Sequence, residues 1–267
     1  MTPDTLVALR DLQAIVAASG HHIVLIGAYA REVTFDRAIG IRSHRATRDV
    51  DAAVRIAGWA EFERLATEIA ATGAFRRTER AGLRFIHRNG TEIDLLPYGD
   101  ITDANATLRW PDDPARTMSL AGFTTLDAHA IDADLGGVIL PVADLCGLVA
   151  LKLFAFDDRG DRTTKDLEDL AFILEHATDA LHDRAFQELD GHELIARPYE
   201  EYGALLLGRD LRTRFDDTAH ERLAAIVRRA AQGLPVLPGM FRASPERSAD
   251  LLQRFDALEA GLLATDG

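Results

Sequence analysis

Apolar residues recur at helical spacing through residues 4–19, where Leu6, Leu9, Leu12, Ile15 and Val16 form one stripe that stops at Gly20. The pattern changes at 22–27 (HIVLIG), a short β-branched run that predicts a buried strand. A helix starts over 28–35, and a polar, Arg-rich stretch fills 36–47. Residues 48–56 (RDVDAAVRI) predict a second strand, and 59–72 a helix with Trp59, Phe62, Leu65 and Ile69 on one side. Two alternating segments, 83–88 and 91–97, flank Asn89-Gly90, a dipeptide suited to a two-residue hairpin turn. Residues 98–136 mix loop, around Trp110-Pro111, with one or two further strands expected, such as 118–125.

Near 136–141 the period becomes helical, with helices expected over 143–157, 165–177, 180–189, 198–207, 218–232 and 245–264. The chain therefore reads as α+β, an α/β domain at 1–136 followed by a helical domain at 137–267. With 47% hydrophobic residues it can build a real core, yet no apolar run approaches the roughly 20 residues of a membrane span. The opening Met-Thr-Pro-Asp-Thr has neither the basic start nor the apolar stretch of a secretion signal, so a cytoplasmic location and no membrane partner are expected. A single cysteine, Cys146, excludes an internal disulfide and a cysteine-based zinc cluster.

The net charge of −13 is unevenly spread. Residues 1–100 carry 13 basic and 13 acidic side chains, whereas 101–267 carry 17 and 30, so the whole acidic excess lies in the later part. Within the balanced part, Arg31, Arg37, Arg42, Arg45 and Arg48 crowd around only Glu32 and Asp36. That local basic patch reads either as a solvated loop or as a seat for an anion.

Asp49 and Asp51 lie two apart on a predicted strand, so both emerge on one face. Two such carboxylates repel one another unless a cation lies between them. Arg45 and Thr47 share their parity and bring a guanidinium and a hydroxyl to the same face. Asp94 is a third strand acid, placed between Ile93 and Leu95, where a carboxylate facing inward is costly. Three such acids suit Mg²⁺, which takes oxygen ligands alongside substrate phosphates; an edge-strand acid facing water is the competing reading of Asp94. Gly27, between strand and helix, aims backbone N–H groups and a helix dipole at any anion placed there.

Only two of the 30 basic residues are lysines, Lys152 and Lys165. Lys152 falls on a nearly apolar helix and needs an anion, either a phosphate or an acid such as Asp166 or Asp169 on the next helix. Thr164 is placed to cap that helix, with Lys165, Asp166 and Glu168 in its first turn.

Strand, Gly, helix, then Asp-x-Asp on the next strand and a distant strand acid resemble the nucleotidyltransferase superfamily that includes DNA polymerase β. More narrowly, R-x-T-x-D-V-D at 45–51, followed by Lys152, Arg159 and K-D-x-x-D-L at 165–170, is similar to the AbiEii-type nucleotidyltransferases. Those are toxins of bacterial type IV abortive-infection toxin–antitoxin systems. The resemblance spans about 22–176. It implies a nucleotidyltransferase-fold α/β domain with a mixed sheet, and a helical domain completing the nucleotide and acceptor cleft. Asp49, Asp51 and Asp94 would hold two Mg²⁺ ions, with Mn²⁺ as a substitute, and Asp94 would help to deprotonate the attacking hydroxyl. Lys152 would act with them on the triphosphate. Gly27, Ala28, Arg31, Arg45, Thr47, Lys165 and Asp166 would line the nucleotide site. Relatives usually carry Gly or Ser after the glycine, whereas Ala28 leaves only backbone donors there, which Arg31 and Arg45 would supplement. The implied partners are an NTP, a tRNA end or protein as acceptor, and a cognate antitoxin. An RNA acceptor would dock along Arg76, Arg77, Arg80, Arg84 and Arg88. The alternatives are a nucleotidyltransferase acting on a small molecule such as an aminoglycoside, or a non-catalytic module that binds nucleotide or antitoxin.

Overall fold

The structure, a computed structural model, describes residues 1–40, 49–78, 83–234 and 245–264. After helix α1 (Pro3–Ala18), Ile23–Ile26 form strand β1, and all four of its residues are buried, as an unbroken apolar run requires when both faces are covered. Helix α2 (Gly27–Ile39) leads away from β1, and β2 (Asp49–Arg55) returns antiparallel to β1 with Asp51 opposite Ile26. Helix α3 (Trp59–Ala71) buries Phe62, Leu65, Ala66 and Ile69, the side that the periodicity marks. Three strands follow: β3 (Phe75–Arg77), β4 (Arg84–His87) and β5 (Glu92–Tyr98). β4 and β5 pair across the expected Asn89-Gly90 turn, where Gly90 adopts φ +92°, the left-handed backbone such turns demand. β5 then runs parallel to β2.

Short strands β6 (Thr107–Arg109) and β7 (Thr117–Ser119) form a separate ribbon. The strand expected at 118–125 stops at Ser119. Gly122, at φ +86°, breaks the extended chain, and α4 (Phe123–Ala128) begins there. β8 (Ile131–Asp134) and β9 (Ile139–Val142) make a hairpin around Gly136 and Gly137, both at positive φ. The mixed sheet has the order β3-β4-β5-β2-β1-β9-β8. Because β9 lies parallel to β1, this hairpin belongs to the sheet, and the first compact unit (Met1–Arg37 with Ile41–Leu148) reaches past the boundary expected at 136.

The second unit comprises Ala38–Gly40 and Val149–Gly267. Its described helices are α5 (Leu145–Arg159, begun in the first unit), α6 (Lys165–Ala180), α7 (His182–Glu188), α8 (Gly191–Ala196), α9 (Tyr202–Arg214), α10 (Asp217–Gly233) and α11 (Pro245–Leu263). The unexpected α8 starts from a capping box: Asp190 accepts from the Glu193 N–H while Glu193 accepts from the Asp190 N–H. Among the described residues no helix is long and apolar enough to cross a membrane.

Helices α9 and α11 meet backbone to backbone at Gly208 and Gly261. A Cβ on Gly208 would overlap the Leu258 carbonyl oxygen, and one on Gly261 the Leu205 carbonyl oxygen. Gly208→Ala should therefore lower stability by about 1–3 kcal/mol, the usual cost of overpacking. Gly191→Ala, with nothing within 4 Å of the added carbon, should stay within about 0.5 kcal/mol of wild type. Urea denaturation of the two variants checks this, and equal midpoints would contradict the close approach.

Candidate active site

Alternation along β2 buries Val50 and Ala52 and leaves Asp49 and Asp51 half-buried; on β5 it buries Ile93 and Leu95 and leaves Glu92 and Asp94 half-buried. The parallel register sets Asp51 beside Asp94 and Asp49 beside Glu92. With neighbouring strands about 4.8 Å apart, four carboxylates form a two-by-two array on one face of the sheet. Glu92 was not anticipated from the sequence, although it shares the parity of Asp94. The neighbouring strand that gives that parity meaning is not visible in the spacing.

Four clustered carboxylates need positive charge, and Arg84 supplies it from β4, where the antiparallel register places it opposite Asp94. Its Nε donates to Asp94 Oδ1 at 2.7 Å and its Nη2 to Asp94 Oδ2 at 2.8 Å, a two-pronged grip on one carboxylate. Nη2 also donates to Asp49 Oδ2 at 2.9 Å, and Nη1 to Glu92 Oε2 at 2.6 Å. The hydrogen bond to Asp94, against the opposing effect of partial burial and with the charges of Asp94, Glu92 and Asp49, raises the pKa of the guanidinium. It stays charged at every accessible pH. Part of the arginine row expected along 76–88 is thereby taken up, while Arg76 is exposed on β3. Arg84 serves the acids, Arg77 is bound to Glu63 at 2.5 and 2.8 Å, and Arg88 lies 3.6 Å from Asp11, while Arg80 falls outside the described residues.

Gly27 ends β1 and opens α2 at φ +68°. A Cβ there would overlap Asp51 Oδ2, so only glycine lets the turn lie directly against that carboxylate. The first residues of α2 thus start beside Asp51 of the acid array. Ala28 follows, half-buried; Arg31, one turn on, is only 4% exposed and belongs to the interior of the unit. Arg45 and Thr47 fall outside the described residues.

Asp49, Asp51 and Asp94 share a face, and oxygens of Asp49 and Asp94 meet at one nitrogen of Arg84. Among the described residues no three His, Cys, Asp or Glu side chains are gathered to hold one metal ion. Asp49 and Asp94 are instead both bonded to Arg84. The donor set still fits a hard divalent cation. It offers carboxylate oxygens only, adjacent in register, with a guanidinium among them as a stand-in for the cation.

Lys152, in the second unit, takes the interhelical alternative. Its Nζ lies 2.6 Å from Asp169 Oδ2 and 3.2 Å from Asp166 Oδ1. Arg159 completes the cluster, donating to Asp166 from Nε at 2.7 Å and from Nη2 at 2.9 Å. Asp166 is 1% exposed. Burial opposes its ionisation, but the Arg159 hydrogen bond and the charges of Lys152 and Arg159 prevail and hold its pKa below the usual carboxylate value. Lys165 is exposed at the start of α6. Thr164 does not cap that helix through its side chain; its hydroxyl donates to Glu168 Oε1 at 2.7 Å instead.

The family model described as "Nucleotidyl transferase AbiEii toxin, Type IV TA system" matches residues 10–254. No curated protein matches the chain. Among solved structures, ANT(2'')-Ia in complex with adenylyl-2''-tobramycin is similar at 12% identity and TM-score 0.41, over 69% of this chain and 92% of that one. A nucleotidyltransferase-like antigenic protein from Paracoccidioides brasiliensis is similar at 13% identity and TM-score 0.38, over 67% and 89%.

Replacing Lys152 by Met removes the 2.6 Å partner of Asp169 and leaves Asp166 to Arg159 alone. Stability should fall by about 3 kcal/mol, the lower end for breaking a buried pair from one side. Lys152→Arg, which keeps the charge, should recover part of it. Chemical denaturation of both variants checks this; a Met variant as stable as wild type would show that the cluster does not depend on Lys152.

Proposed function

Because the chain belongs to the AbiEii nucleotidyltransferase toxin family, we propose that it moves a nucleoside monophosphate from an NTP to an acceptor hydroxyl at the face formed by Asp49, Asp51 and Asp94. The observation that carries this reading is the register of β2 and β5, which sets Asp51 beside Asp94 on the same face as Asp49. Asp49 and Asp51 would hold divalent cations together with the triphosphate, and Asp94 completes the set. When bound, Mg²⁺ neutralises the phosphate charge and polarises the α-phosphate. The acceptor oxygen forms a new bond to the α-phosphorus, the bond from that phosphorus to the bridging oxygen breaks, and pyrophosphate leaves. Asp94 takes the proton of the acceptor hydroxyl. The Gly27 turn and the N-terminus of α2 offer backbone N–H groups to phosphate oxygens, while Ala28 adds no hydroxyl.

A protein hydroxyl suits this chain better as acceptor than a tRNA end. Arg77, Arg84 and Arg88 are each matched with an acid, and the acidic excess of 101–267 repels a polyanion. The same excess suits a cationic antitoxin as partner. A second reading, a non-catalytic binding module, draws on two observations: Arg84 already occupies the acid row, and Ala28 replaces the usual hydroxyl or glycine.

Incubation with each α-labelled NTP and Mg²⁺, against total tRNA or total protein, separates these readings. Label should pass to a protein acceptor, and Asp49→Asn should reduce transfer by about 10³-fold, the scale of losing one group that stabilises the transition state. Equal transfer by Asp49→Asn would overturn the site, and no transfer by wild type to either acceptor would favour the binding module.

A further inference from the structure

Arg84 does more than balance charge. Its one guanidinium touches three of the four carboxylates in the array, and it holds Asp94 by both oxygens. A carboxylate gripped at both oxygens has its strongest lone-pair directions occupied, so it is a poor metal ligand and a poor proton acceptor while the grip lasts. Yet β4 and β5 hold Arg84 and Asp94 directly opposite one another, so the sheet register itself favours the contact. The side chain of Arg84 is one-third exposed, which leaves it a path away from the acids toward solvent. A divalent cation brings two positive charges to acids that Arg84 holds with one, so it competes with the guanidinium for them.

We propose that Arg84 is a built-in counter-cation that closes the acid row in the resting protein, and that a divalent cation must displace it to reach Asp49 and Asp94. This rests on the reading of that row as the metal site. In the resting state Arg84 keeps the acids from repelling one another, so the sheet folds without metal. On binding, the incoming cation takes over that role, Asp94 is freed to accept a proton, and the released guanidinium can pair with a phosphate oxygen instead of a carboxylate. The intrinsic metal affinity of the row is thus reduced by the fraction of molecules in which Arg84 holds it closed.

Direct Mn²⁺ binding to the purified full-length chain, read from the electron paramagnetic resonance of free Mn²⁺ without nucleotide, tests this without any catalytic readout. Arg84→Gln should bind Mn²⁺ about 10-fold more tightly than wild type, as expected when a competitor occupying roughly nine molecules in ten is removed. Arg84→Lys, which keeps the charge but cannot bridge three carboxylates, should fall between them. Mn²⁺ should also raise the melting temperature of Arg84→Gln more than that of wild type. If Arg84→Gln does not fold without metal, the Lys variant carries the comparison. Equal or weaker Mn²⁺ affinity in the Arg84 variants, with wild type binding measurably, would overturn the displacement proposal and leave the metal site standing. No binding in any variant would overturn both.

Discussion

Parallel pairing of two strands that each carry acids at alternate positions creates a problem that the rest of the site has to solve. Burying Val50, Ala52, Ile93 and Leu95 on one side of β2 and β5 obliges Asp49, Asp51, Glu92 and Asp94 to share the other. A one-residue slip would relieve the charge but expose the apolar row, so the hydrophobic core locks the carboxylates side by side on one face. Among the described residues, two features then ease their mutual repulsion. Arg84 reaches across from β4 to three of them. Gly27, lacking a Cβ, makes room beside the fourth and brings the start of α2 to it. Stability of the sheet and chemistry of the face therefore depend on the same few residues.

The second unit solves a smaller version of this problem differently. Lys152 and Arg159 surround Asp166 and Asp169, pairing two cations with two acids among buried leucines such as Leu167 and Leu170. That arrangement sets two cations against two acids, whereas on the β2–β5 face one guanidinium bridges three acids. The contrast is chemically informative: the paired cluster holds helices together, whereas the shared guanidinium sits on the acids that the proposed function assigns to a metal. It also explains why Lys152 could be noticed from composition and still be assigned two roles, since a rare lysine on an apolar helix fits a phosphate or an acid equally well.

Much of the architecture was legible from local pattern. Alternation placed Asp49, Asp51 and Asp94 on strands, Asn89-Gly90 fixed the β4–β5 hairpin, and the run 22–27 marked β1. Local pattern could not say that β5 pairs with β2, a contact between segments some forty residues apart. Without that pairing, Glu92 looks like an ordinary surface acid and Arg84 like one member of a basic row. The β8–β9 hairpin was missed for a related reason. Its strands are four residues long, and Ile131 and Ile139 face outward at 41% and 64% exposure, so no clean alternation announces it. Only its pairing with β1 makes it part of the sheet. Arg45 and Thr47, read as site residues from parity, lie outside the described residues, so the face is known from its two central strands and from Gly27 and Arg84.

The central claim is that the face carrying Asp49, Asp51 and Asp94 receives the metal-bound triphosphate. Anomalous diffraction at the manganese edge, from crystals soaked with Mn²⁺ and a non-hydrolysable NTP analogue, tests it most directly. The account predicts manganese at about 2.0–2.2 Å from oxygens of Asp49 and Asp51, a triphosphate beside the Gly27 turn, and Arg84 withdrawn from Asp94. Manganese and nucleotide bound elsewhere, with Arg84 still bridging Asp49, Glu92 and Asp94, would contradict it.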